Sequence, residues 1–273
     1  MLKAPLPRVL WAVLLVFAGH VVAAAETLTF KSAVKPDKWS ATVRGTLTFP
    51  PGEGPHPTVV LLHGCGGLTP PIRASHRGRT SFLTGNGFAT YVMDSFGARG
   101  LTGGRVCAGA DPGAGGAYVL LDDAFNAMVA LQKHRRVDGR NIFLVGQSLG
   151  GGAALMAAMK DYTTPHDAAF RAIVAYYPSH CHLLSYNPQL RSPLLVLAAG
   201  RDDWVSVAPC QSAKNRERSG SFFDVVVYPD ALHMFDSPGA PAKLLGRTLG
   251  YNRKTTADSH RRLLEFFKRH LER

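Results

Sequence analysis

The feature that most restricts this chain's fold is a set of short aliphatic runs separated by stretches of helical periodicity. Thr58–Leu62, Asn141–Val145 and Leu194–Ala199 are nearly unbroken apolar segments of strand length, as strands covered by helices on both faces require. Phe88–Met93, Arg171–Tyr176 and Phe222–Tyr228 are further strand candidates, with helical patterns near Ile72–Thr84, Val119–His134, Leu149–Lys160 and Ala208–Arg218. This alternation predicts an α/β fold around a mostly parallel sheet. Thr27–Val34 and Ala41–Phe49 lie close together around a Pro-containing turn and are expected to pair antiparallel. The last helix, about Thr256–Leu271, places Leu263, Leu264, Phe267 and Leu271 on one stripe. No repeat or heptad run is present, which excludes solenoids and coiled coils.

The N-terminus has a different character. Lys3 and Arg8 supply a positive segment ahead of an apolar run from Val9 to Val22, and Val22-Ala23-Ala24-Ala25 supplies a small-residue cleavage pattern before Glu26. This reads as a secretory signal over residues 1–25, followed by one domain over 26–273 in the periplasm or outside the cell. No stable membrane insertion is expected after cleavage. In an oxidising compartment Cys65, Cys107, Cys181 and Cys210 are disulfide candidates. None of them forms a close C-x-x-C pair, so no metal site is expected. Gly97–Gly116 is read as a surface loop that a disulfide through Cys107 could hold; it lacks a phosphate-cradle pattern. The formal net charge is +12. The basic residues are scattered, with only short clusters such as Arg135-Arg136 and Arg261-Arg262, which points to a solvated basic surface and not to a nucleic-acid partner.

Chemistry concentrates at Gly146-Gln147-Ser148-Leu149-Gly150, a G-x-S-x-G between a buried-type strand and an Ala-rich helix. That context is a nucleophile elbow, in which flanking glycines relieve a strained turn and the serine hydroxyl projects at a helix N-terminus. A serine needs a base, and the base needs an orienting carboxylate. His233 lies just past the Phe222–Tyr228 strand, before a long loop. His180 and His182 are rivals, whereas His260 and His270 are read as surface residues of the last helix. The acid is expected after Leu194–Ala199, where Asp202 and Asp203 are not separable by periodicity. The oxyanion donors are expected to be the N–H of Leu149 and, from His63-Gly64-Cys65-Gly66-Gly67, that of Cys65, with Gly66 as second choice. Arg99, Tyr177, Trp204 and His182 are candidate pocket residues, Arg99 being suited to an anionic substrate. This mechanism calls for no cofactor.

Five blocks in order, His63-Gly64-Cys65-Gly66-Gly67, the Asp94–Gly100 stretch, Gly146–Gly150, Asp202-Asp203-Trp204-Val205 and Ala231–Asp236, resemble the dienelactone hydrolase family of α/β-hydrolases. The resemblance implies a sheet of eight strands or slightly fewer and Asp202 as the acid. It also implies the disulfide pairs Cys65–Cys107 and Cys181–Cys210. Family enzymes that open dienelactones carry Cys at the nucleophile position, and this chain has Ser148. Together with the signal sequence, this favours an exported carboxylesterase acting on a small-molecule ester. A lactone hydrolase, a small peptidase and a non-catalytic binding protein on the same scaffold are the alternatives.

Overall fold

A computed structural model describes residues 24–32, 40–109, 116–162, 168–186, 189–214 and 222–272. The apolar part of the expected signal lies outside these residues. Its expected last residue, Ala25, opens the first strand.

The elements in chain order are β1 (Ala25–Ser32), β2 (Ala41–Thr48), β3 (His56–Leu62), α1 (Pro70–Thr84), β4 (Ala89–Asp94), α2 (Ala117–Leu131), β5 (Val137–Gln147) and α3 (Leu149–Ala158). There follow β6 (Ile173–Tyr176), β7 (Leu194–Ala199), α4 (Ala208–Lys214), β8 (Phe223–Tyr228), a small hairpin β9 (Lys243–Leu244) and β10 (Arg247–Thr248), and α5 (Arg253–Arg269). The main sheet has eight strands in the order β1-β2-β4-β3-β5-β6-β7-β8. As expected, β1 and β2 pair antiparallel; β2 also meets β4 antiparallel, while β3 to β8 run parallel.

The aliphatic runs supply the register and both cores. Val60 and Leu62 of β3, Leu144 of β5 and Val196 of β7 face α2 and α3. Val59 and Leu61, Val145, and Leu195 and Leu197 point the other way, onto Leu83 of α1 and Leu263, Phe266 and Phe267 of α5. This two-sided burial is why these strands read as continuous hydrophobics. Chain order reverses at β3, which sits between β4 and β5. In open α/β sheets ligands bind beyond the strand C-termini at such a switch point, and here the β3 and β5 ends carry the His63–Gly67 loop and Ser148.

Several boundaries moved. The third helix ends at Ala158 and not at Lys160, because Met159 turns extended and bridges Leu190. The helix expected to reach His134 stops at Leu131, where Gln132, Lys133 and His134 continue as tight turns. The β9–β10 hairpin was not expected at all. It interrupts the long loop expected after His233.

Candidate active site

Ser148 sits in the turn between β5 and α3 with φ 55° and ψ −116°. A non-Gly residue in that region is strained and held there by its surroundings. The surroundings are tight: a Cβ on Gly146 would lie 2.0 Å from the Gly150 carbonyl oxygen, and one on Gly150 would lie 2.5 Å from that of His63. The Ser148 N–H donates to Tyr176 O at 3.0 Å, fastening the turn to the end of β6. Its hydroxyl is left beside the first turn of α3, where the Leu149 N–H has no intrahelical partner.

His233 follows β8 and is 3% exposed. Its Nε2 lies 2.9 Å from Ser148 Oγ, and its Nδ1 lies 2.7 Å from Asp202 Oδ2. The Asp202 side chain is buried, and its other oxygen accepts the N–H groups of Trp204 and Val205 at 2.9 and 3.0 Å. That leaves Asp202 fixed and aimed at the imidazole. Geometry thus separates the two acids that periodicity could not. Asp203 is exposed, accepts the Thr248 N–H at 3.0 Å and so anchors the hairpin; this contact holds its carboxyl below the usual range. The Trp204 ring stacks on His233 at 5.5 Å, and the Tyr177 ring meets its edge at 4.7 Å. Met234, the next residue, has φ 62°, a further strained position.

The loop after β3 closes the site on its other side. Gly64 is close enough that a Cβ there would lie 3.2 Å from Ser148 Cβ. His63 is fully buried, and its Nδ1 lies 2.9 Å from the Gly64 carbonyl. A carbonyl can only accept, so Nδ1 carries the proton. The Gly67 N–H donates to the same oxygen at 3.1 Å. Because the peptide is planar and trans, pinning the Gly64 carbonyl turns the Cys65 N–H the opposite way. His63 was not a candidate site residue; its role lies in the fold and leaves no sequence signal beyond adjacency. The disulfides are Cys65–Cys107 and Cys181–Cys210, the pairs implied by the family resemblance.

These groups border a cavity of about 360 Å3 lined mainly by apolar atoms, including Ile72, Trp204, Met234, Leu244, Leu245 and the Cys65–Cys107 bridge. Tyr177 lines it by its ring. Two expected pocket residues do not. Arg99 is buried, with its guanidinium bonded to Asp123 through both terminal nitrogens at 2.7 and 3.0 Å and to Ser95 and Ser32. A loop arginine beside the site looked free in sequence because its partner is on α2. His182 is exposed, with its ring tilted against that of His180 at 5.8 Å. His260 is not a free surface residue either: it packs on Phe82, and burial holds it down at about 4.

Under the site lies a buried network that sequence reading missed. Arg79 of α1 and Asp236, three residues past His233, form an ion pair with both side chains fully buried. Asp236 also accepts from Ser75 at 2.9 Å and from the Tyr177 hydroxyl at 2.5 Å. Arg79 and Ser75 reach Gln147 Oε1, next to Ser148, at 3.4 and 3.3 Å, and Arg79 lies 4.4 Å over the Tyr176 ring. Burial opposes the guanidinium's charge, but the Asp236 carboxylate together with Tyr176 and Tyr177 more than offsets it and raises the group above its ordinary value. Burial, reinforced by Asp236, pushes the Tyr177 phenol well up, so it stays a donor. The pair joins α1, the β5 and β6 ends and the His233 loop.

Among the described residues no cluster of metal-binding side chains occurs, and no helix is long and apolar enough to cross a membrane. The dienelactone hydrolase family matches residues 43–271. A dienelactone hydrolase-like promiscuous phosphotriesterase from metagenomic libraries superposes with a TM-score of 0.68 at 18% identity, covering 91% of this chain and 100% of that one. The dienelactone hydrolase of Anabaena variabilis superposes at 0.60 with 21% identity, covering 91% and 99%. A peroxisomal succinyl-coenzyme A thioesterase of Mus musculus is 31% identical over 117 residues, which is 42% of this chain but only 24% of the thioesterase. The family match over most of the chain, carried on an eight-stranded α/β sheet, makes this protein a member of the dienelactone hydrolase family, a family of hydrolases.

Proposed function

We propose that the chain is an exported serine esterase, with Ser148, His233 and Asp202 as its catalytic residues. One observation carries this reading: residues 85 positions apart place an imidazole nitrogen 2.9 Å from a strained serine hydroxyl, with a buried carboxylate on the other ring nitrogen. Ser148 Oγ attacks the ester carbonyl while His233 Nε2 takes its proton, and Asp202 orients the imidazole and stabilises its cation. The N–H groups of Leu149 and Cys65 receive the developing oxyanion, each contributing about 3–4 kcal/mol to transition-state stabilisation. His233 then returns the proton to the leaving alcohol, and water, deprotonated by the same imidazole, releases the acid and restores Ser148. Esterase and thioesterase, activities named among the relatives, are both acyl transfers to water of this kind. Export is supported by the N-terminal signal pattern and by two disulfides of a type confined mostly to oxidising compartments.

The test is a p-nitrophenyl ester chain-length series on the wild type and on Ser148→Ala. Turnover is expected for the wild type and loss of about three orders of magnitude or more for the variant. Hydrolysis retained by Ser148→Ala overturns the mechanism.

A further inference from the structure

We infer that this site selects uncharged acyl groups and rejects acyl chains that end in a carboxylate; the inference rests on the esterase reading and names its substrate class. Of the described residues that border the cavity, none is Lys, Arg, Asp or Glu. The ionisable groups that do face it are His233, held between Asp202 and Ser148, and Tyr177, whose hydroxyl is given to Asp236. Neither has a donor left for a substrate carboxylate. The opposite walls are Ile72, Pro71, Leu244, Leu245 and a disulfide, whose side chains carry no polar hydrogen, and the remaining polar side chains of the lining, Thr69, Gln147 and Trp204, are neutral donors that bring no charge to pair with an anion.

The surrounding cations do not repair this. Arg99 has both terminal nitrogens committed to Asp123 and lies outside the cavity lining. Arg79 is closed off in its pair with Asp236. Arg73 lies across the Gly66–Thr69 turn, where it lines an adjacent groove and not this cavity. Lys243 and Arg247 flank Leu244 and Leu245 on the hairpin but are exposed and also absent from the lining. Such solvated charges are screened and supply little to a group held inside. An acyl carboxylate here would lose its water without a cationic partner to replace it. It would also sit in the same enclosure as the oxyanion of the tetrahedral intermediate, so like charges would meet in the transition state.

The experiment compares p-nitrophenyl hexanoate with mono-p-nitrophenyl adipate, which share a six-carbon acyl chain and differ only by a terminal carboxylate. Turnover is measured on the wild type, and binding on Ser148→Ala by quenching of Trp204, which borders the cavity. We expect kcat/KM for hexanoate to exceed that for adipate by about a hundredfold or more, with tighter binding of hexanoate by Ser148→Ala. Leu245→Arg, which adds a cation at the rim, is expected to narrow the ratio at least about tenfold. Adipate within threefold of hexanoate in both measurements overturns the inference. Selective binding by Ser148→Ala without wild-type turnover would instead overturn the esterase reading and leave the selectivity standing.

Discussion

Removing one partner of the Arg79–Asp236 pair gives a test in which the structure sets both size and asymmetry. Breaking a fully buried ion pair costs about 3–5 kcal/mol, because the remaining charge has no water. Asp236→Ala strands the guanidinium with the weak 3.4 Å contact to Gln147 and the Tyr176 ring, removes the acceptor of the Tyr177 hydroxyl and leaves Ser75 only its 3.3 Å contact to Gln147. Arg79→Leu leaves a carboxylate that still accepts from Ser75 and Tyr177. Asp236→Ala should therefore lie at the upper end of that range and Arg79→Leu at the lower. At roughly 2–4 °C per kcal/mol for a domain of this size, a loss near 4 kcal/mol lowers Tm by roughly 8–16 °C. The double variant strands no charge and should recover about 2 kcal/mol or more relative to the sum of the singles. Urea unfolding of the four proteins reads the cycle directly. Single variants within about 1 kcal/mol of wild type, or a double variant equal to the sum, would refute the assignment of this pair as a coupled buried unit.

Other expectations follow from neighbouring contacts. Asp202→Asn should lower kcat/KM by about four orders of magnitude, whereas Asp203→Asn, which touches only the hairpin, should act mainly through KM; equal losses in steady-state assays would contradict the division of roles. Tyr177→Phe keeps the ring against His233 but deletes the donor to Asp236, so an activity loss should come with a stability loss of about 1–3 kcal/mol, and unchanged denaturation would count against it. His260 is ordinarily at 6.5 and is held at about 4 when folded, so the unfolded chain takes up a proton that the folded chain refuses. Stability is then lost as pH falls from 6.5 toward 4, and His260→Gln should flatten that limb in urea titrations at several pH values. Replacing Cys107 by Ser frees the loop that carries the Cys65 N–H; kcat should fall about tenfold or more while far-ultraviolet circular dichroism is retained, and an unaltered kcat would remove the disulfide from the account of the oxyanion site.

The parts of the fold that follow from local pattern were readable in the chain itself. Val59 to Leu62 alternate between two helix layers, so both parities must be apolar, and that is visible without coordinates. Ser148 was readable for a related reason: Gly146 and Gly150 are demanded by contacts under 3 Å, so the turn carries its own signature. Arg79 was not readable, because it stands in α1 beside Arg73 and Arg77 and resembles their solvated charge. Its partner is 157 residues away. Arg99 failed the same way in reverse, since a cation on a loop near the expected site looked available until α2 brought Asp123 to it. Charges that pair at long range are hidden from periodicity.

The order of strands also divides the molecule into two ends with different tolerances. Ser148, Asp202, His233 and the His63–Gly67 loop all leave from the carboxyl ends of parallel strands. The turns at the other end, such as Gly85–Gly87 ahead of β4 and Gln132–Arg136 ahead of β5, carry none of them. A purification tag, a fluorescent insert or a surface anchor grafted into those lower turns is expected to leave the proposed catalytic groups where they are, while the same insertion above β3 or β8 would dismantle them.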